Sequence, residues 1–175
     1  MRGVSFAYPG GPPVLRDVDL TFPAGARVAI VGETGSGKTT LARLLMRFVD
    51  PGSGQVLLDG VDLRRIPLDH LRERVVLVPQ EGFLFAGTLA DNLGYGRRAI
   101  ERSRIAAAVR DLGLESWIGS LPDGLDSPVG QRGESLSAGE RQLVAIVRAY
   151  LADPDLLVLD EATSAVDPAT ELRIA

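Results

Sequence analysis

The sequence predicts an α/β domain with a largely parallel, covered sheet, on three observations. A short apolar run at residues 27–31 (RVAIV) enters a glycine-rich loop at residues 32–39 (GETGSGKT), and a stretch of helical spacing (LARLLMRF) leaves it. Far along the chain the pattern returns, with a helix over residues 138–151, the apolar strand Leu156–Leu159 and two adjacent acids. Strands that alternate with helices are joined by crossovers, which make neighbouring strands parallel and place helices on the faces of the sheet.

The remaining elements follow in order. Val4, Phe6 and Tyr8 alternate as on a strand, and residues 55–60 (QVLLDG) read as a strand ending in a turn. The helix after Lys38 is stopped by Pro51 and Gly52. A short helical stretch (PLDHLRER) precedes a strand at Val75–Val78. Residues 83–133 hold helical stretches such as SRIAAAVRDLGL, broken at Gly113, Pro122, Gly124 and Pro128, and read as a helical insertion. The expected organisation is one domain over 1–175, with a core of residues 1–82 and 134–175 interrupted by that insertion.

A chain of 175 residues can bury roughly 70% of the surface its unfolded form exposes, so it needs no covalent staples. It has no cysteine, which excludes disulfides and thiolate metal sites and suits a reducing compartment such as the cytoplasm. The net charge is −4, and the arginines are scattered among acids, as at Arg72, Glu73 and Arg74, so nucleic acid is not an expected partner. No apolar stretch approaches the ~20 residues of a membrane helix, and the first residues lack the apolar segment of a signal peptide.

Gly32, Gly37, Lys38 and Thr39 satisfy the G-x-x-x-x-G-K-[ST] pattern between an apolar strand and a helix. Glycines allow a tight loop whose N–H groups converge on phosphate oxygens at the positive end of the following helix. Lys38 then supplies a point charge at the β and γ phosphates, and the Thr39 hydroxyl completes the shell of Mg²⁺. Glu33, Thr34, Gly35, Ser36 and Thr40 complete the candidate nucleotide contacts. A glycine-rich turn with a stray surface lysine explains the pattern less well, because Lys38 is the only lysine among 19 basic residues.

LLVLDE at residues 156–161 places Asp160 and Glu161 at the end of an apolar strand. That arrangement suits a first acid on Mg²⁺ and a second that orients or deprotonates water. LSAGERQ at residues 136–142 has two readings. Ser137 and Glu140 form a capping box that starts the next helix, and a helix end bearing Ser137 and Gly139 on its first turn is also an anion site.

The succession of phosphate loop, Gln80, LSAGE, LLVLDE and SAVD (residues 164–167) resembles an ATP-binding cassette (ABC) domain over nearly the whole chain. The family signature LSGGQ is matched except at Ala138 and Glu140. The resemblance implies a P-loop NTPase (RecA-like) core with an N-terminal antiparallel β subdomain and a helical insertion. It also implies ATP and Mg²⁺ as cofactors, and a head-to-tail pair of identical or different cassettes. In such a pair Ser137 and Gly139 contact the γ-phosphate held by the partner, and residues 164–167 connect the two sites. Gln80 is similar to the residue that reaches Mg²⁺ and water, and Tyr8 to the aromatic that stacks on adenine.

FLFAGTLADNL (83–93) and LPDGLDSPVGQRG (121–133) are similar to exporter-type segments, the second with Gln131 where exporters usually carry glutamate. The implied partner is a transmembrane domain outside this chain, with the cassette at the cytoplasmic face of the membrane. The competing expectations are a soluble cassette ATPase and a cassette that binds ATP without turnover. The family places a histidine beyond the SAVD loop, whereas the sole histidine here, His70, precedes Gln80 and reads as structural. The chain is therefore expected to be a fragment, weak in nucleotide binding and inactive in hydrolysis alone.

Overall fold

The computed structural model describes residues 1–79, 82–96 and 100–160. It divides into two compact units, Met1–Val75 and Val76–Ala175.

In the first unit, β1 (Arg2–Ala7) is the central strand of an antiparallel sheet, flanked by β2 (Pro13–Val18) and later by β3 (Ser53–Gln55). The alternation expected at the start of the chain is present: Val4 and Phe6 point into the core, opposite Val18 and Leu15 of β2. The expected strand at residues 27–31 is not formed. Val28 and Ile30 are exposed, and Val31 is 87% exposed. An apolar run becomes a buried strand only where neighbouring strands take up its N–H and C=O groups, and among the described residues this run enters no ladder.

Helix α1 (Lys38–Leu45) buries Thr40, Leu41, Leu44 and Leu45 on one face. It ends before Pro51 is reached, because Arg47 adopts a left-handed φ of 49° and its guanidinium donates to the Leu63 and Ile66 carbonyls at 2.9 Å each. Residues 55–60 are divided, with Gln55 in β3 and Leu57–Leu58 forming β4. The Asp59-Gly60 turn, with both φ positive, returns the chain as β5 (Val61–Asp62). That combination matches the twist of a two-residue hairpin. Helix α2 (Leu68–Arg74) buries Leu71 and leaves His70 exposed.

The second unit is organised by one long helix. Strand β6 (Val75–Val78) is followed by α3 (Leu89–Leu93), α4 (Arg102–Asp111) and α5 (Glu115–Ser120), then by α6 (Ala138–Ala152) and β7 (Leu156–Leu159). One face of α6, with Leu143, Val144, Val147 and Leu151, packs against Leu89, Leu93, Ile105 and Val109. The other, with Ala145 and Ala149, packs on Val78. Full burial of each large aliphatic side chain is worth about 1.5–3 kcal/mol, so the α3–α4–α6 cluster is the main source of stability for α6. Strand β7 pairs with β6, and the Asp160 N–H donates to the Val78 carbonyl at 3.1 Å. Sequence reasoning expected β7 to be buried, yet Leu157 and Leu159 are exposed.

Candidate nucleotide-binding site

The loop at residues 32–39 is shaped by its glycines. Gly37, the residue before α1, has φ 95°, and a Cβ there would lie 2.9 Å from the Leu15 side chain of β2. A Cβ on Gly32 would meet the Ser36 hydroxyl at 2.7 Å. Any larger residue would have to push the loop off β2 or open it. With glycine at the cap position, α1 has no side-chain cap and no acid in its first turn. Its first N–H groups and positive end therefore carry no side-chain cap and no acid of the helix's own first turn.

Lys38 lies back across this loop, its ammonium donating to the Gly32 carbonyl at 2.6 Å and the Glu33 carbonyl at 2.9 Å. The loop is closed from within by the Ser36 N–H on the Glu33 carbonyl at 3.1 Å. Glu33, Thr34, Gly35 and Ser36 are exposed, as is Thr39, whereas Thr40 is buried. The Thr40 hydroxyl is 3.2 Å from the Tyr8 hydroxyl, which also accepts from Arg43 at 3.0 Å. Tyr8 is thus tied to α1 one turn from the loop. Those bonds to Thr40 and Arg43 lower its pKa from the usual phenol value. Its ring meets Phe6 edge to face at 4.9 Å.

In the second unit Asp160 terminates β7, as expected from LLVLDE. Gln80, Glu161 and residues 164–167 lie outside the described residues. Pro79 and Gly82 both lie against α6. Gln142, only 1% exposed on α6, donates to the Pro79 carbonyl at 3.2 Å, and a Cβ on Gly82 would lie 2.7 Å from the Arg141 carbonyl. Sequence reasoning missed Gln142; a lone amide on the apolar face of α6 was the available signal.

The capping reading of LSAGE holds in full. The Ser137 hydroxyl accepts from the Glu140 N–H at 3.3 Å, and the Glu140 carboxylate accepts from the Ser137 N–H at 2.7 Å. Its second oxygen accepts from the Trp117 indole N–H of α5 at 3.0 Å, a contact that sequence reasoning did not foresee. Partial burial alone would raise the Glu140 carboxyl, but the Ser137 and Trp117 bonds outweigh it and hold the value below the usual glutamate one. Ser137 remains exposed and Gly139 half-buried.

The two stretches at the ends of the insertion, residues 83–93 and 121–133, lie side by side. Thr88 and Pro128 form a bridge, the Leu89 N–H donates to the Ser127 carbonyl at 2.9 Å, and the Val129 N–H to the Gly87 carbonyl at 3.0 Å. Gln131 is exposed on a single 3₁₀ turn. Beside them Phe83, Phe85 and Tyr95 form an exposed aromatic chain, with ring centroids 5.0 and 4.0 Å apart. Arg148 of α6 fixes its base by donating to the Phe83 and Asn92 carbonyls at 2.6 Å each.

Residues 15–164 match the family described as ABC transporter. The chain belongs to the ABC transporter family. It is 48% identical over 171 residues to a fatty acid ABC transporter ATP-binding/permease protein of Mycobacterium bovis, covering 98% of this chain and 27% of that one. It is 49% identical over 169 residues to an ATP-dependent lipid A-core flippase of Chromobacterium violaceum, covering 96% of this chain and 29% of that one. A solved bacterial Atm1-family ABC exporter with ATP bound superposes with TM-score 0.92 at 42% identity, over 99% of this chain and 30% of that one. The chain thus spans less than a third of each. The cassette has the P-loop NTPase fold of the exporter branch, and membership places it among ATPases. Among the described residues no helix is long and apolar enough to cross a membrane.

Proposed function

We propose that the chain is the nucleotide-binding domain of an ABC exporter, where Mg-dependent ATP hydrolysis drives a substrate across a membrane. The observation that carries this reading is the phosphate loop. Its glycines are required by close contacts and positive φ, its helix end is uncapped, and its lysine already spans the loop. ATP would meet the uncapped N–H groups of α1, with Lys38 moving from the loop carbonyls to the β and γ phosphates and Tyr8 stacking on adenine.

A hydroxyl, Thr39, and a carboxylate, Asp160, are the hard oxygen donors that Mg²⁺ takes alongside phosphate oxygens and water, and would hold it. The metal, when bound, neutralises charge on the β and γ phosphates. Gln80 would hold metal and water, and Glu161 would take the water proton. Ser137 and Gly139 would face the γ-phosphate of a partner cassette in a head-to-tail pair. The exposed aromatic chain of Phe83, Phe85 and Tyr95, beside the exposed Gln131 loop, offers the transmembrane domain a docking surface at the cytoplasmic face of the membrane.

Titration of Mg-ATP into the chain and into Lys38→Ala tests the first half of this reading. Affinity should fall on the order of a hundredfold, the worth of a charge-assisted contact to phosphate; equal affinities would refute the site. For the second half, Glu161→Gln in the complete transporter should keep ATP binding and slow turnover by roughly 10²–10⁴. Unchanged turnover would remove Glu161 from the base role.

A further inference from the structure

We propose that Trp117 is a positioning residue for the signature segment, matched to the glutamate that this chain carries at position 140. The inference rests on the reading of the α6 N-terminus as a γ-phosphate contact. An ionised carboxylate offers two acceptor oxygens, whereas an amide offers one acceptor and one donor group. Both oxygens of Glu140 are used: one accepts from the Ser137 N–H at 2.7 Å and the other from the Trp117 indole at 3.0 Å. A glutamine could still complete the capping box through its oxygen, but its NH₂ would then confront the indole N–H, donor against donor. Glu140 and Trp117 therefore form a pair in which each explains the other.

The pair has a consequence for phosphate binding. A carboxylate in the first turn of α6 stands close to where an anion would contact Ser137 and Gly139, and like charges repel unless the carboxylate is turned aside and its charge shared. The indole does both. It sits on α5, is itself packed against the α3–α4–α6 core, and so holds the second oxygen from a rigid base. Without the indole N–H, Glu140 keeps only its bond to the Ser137 backbone and can swing towards the phosphate face.

The test is a double-mutant cycle on ATP KM and kcat in the complete transporter, with Trp117→Phe, which keeps an aromatic ring but loses the N–H, and Glu140→Gln. Each single change should raise ATP KM about threefold to tenfold, the usual net worth of one hydrogen bond, with kcat altered less. The double variant should return towards the parent KM, because it has neither a carboxylate free to swing towards the phosphate nor two donors face to face. Effects that multiply, or singles that leave KM unchanged, would overturn the pairing and reduce Trp117 to packing. Should a variant not accumulate in the membrane, amide exchange at Ser137 in the chain itself reads the same coupling. Exchange should quicken in each single and less in the double, and additive acceleration counts against the pair. Ser137→Ala separates the two levels of the argument. If it leaves KM and kcat unchanged, the phosphate reading of the α6 end is wrong, and the positioning role goes with it.

Discussion

Two helices of this cassette begin at points where phosphate is expected, and they treat their first turns in opposite ways. Helix α1 starts from Gly37 in a left-handed conformation, with no side-chain cap and no acid in its first turn. Helix α6 starts from Ser137 with a complete capping box that includes an acid. Every helix N-terminus leaves four N–H groups and about half a positive charge to be satisfied. In α1 that demand is left to a ligand, while in α6 it is met by the chain's own side chains. On the proposed reading the first end is built to bind, and the second to keep its shape until a phosphate is presented to it.

The largest effect that probes this contrast is expected at Gly37. Gly37→Ala forces a side chain into a backbone of φ 95° and against Leu15 at 2.9 Å, which stores about 1–3 kcal/mol of strain. Relief of that strain moves the loop, so Mg-ATP affinity measured by calorimetry should fall more than tenfold along with the melting temperature. Native affinity in this variant would show that the uncapped end of α1 is not the primary site. Ser137→Ala should do the reverse in the isolated chain. It removes a side-chain cap worth about 1 kcal/mol and lowers the melting temperature by a few degrees, while Mg-ATP affinity stays within about twofold, because the site proposed for the chain's own nucleotide is at α1. A large loss of affinity would erase the distinction between the two ends.

How much of this could be read from the sequence depends on distance along the chain. The phosphate loop, the α6 capping box and strand β7 are specified by residues a few positions apart, and the glycines, Ser137 and Glu140 carry their own conformational reasons. Residues 27–31 have an apolar pattern that fits a central strand, but a strand exists only through its neighbours, and nothing within five residues says whether they are present. The Trp117–Glu140 and Gln142–Pro79 contacts join residues 23 and 63 positions apart. No periodicity rule reaches that far, so the supports of the α6 end and of Pro79 emerge only in three dimensions. The exposed chain of Phe83, Phe85 and Tyr95 was hidden for another reason, since aromatic residues in a sequence are read first as core.

The smallest expected effect is one of pH, and it falls on one helix end alone. The Glu140 carboxyl is held below the usual glutamate value: burial pushes it up, but the Ser137 and Trp117 bonds pull it down further. A carboxyl whose folded value is depressed stabilises the fold fully above its unfolded value, about 4.3, and that contribution fades as pH falls through the lower folded value. The N-terminal turn of α6 should therefore fray as pH drops below about 4, read as faster relative exchange of the Glu140 amide against the intrinsic rate. The start of α1 carries no acid in its first turn, so the Leu41 amide, bonded to the Gly37 carbonyl at 2.9 Å, should show no matching change. In Glu140→Gln the acid-dependent fraying of α6 should disappear, because an amide does not titrate. If the fraying persisted in that variant, the carboxylate would not be what holds the α6 end, and the contrast between a ligand-satisfied and a self-satisfied helix would need another cause.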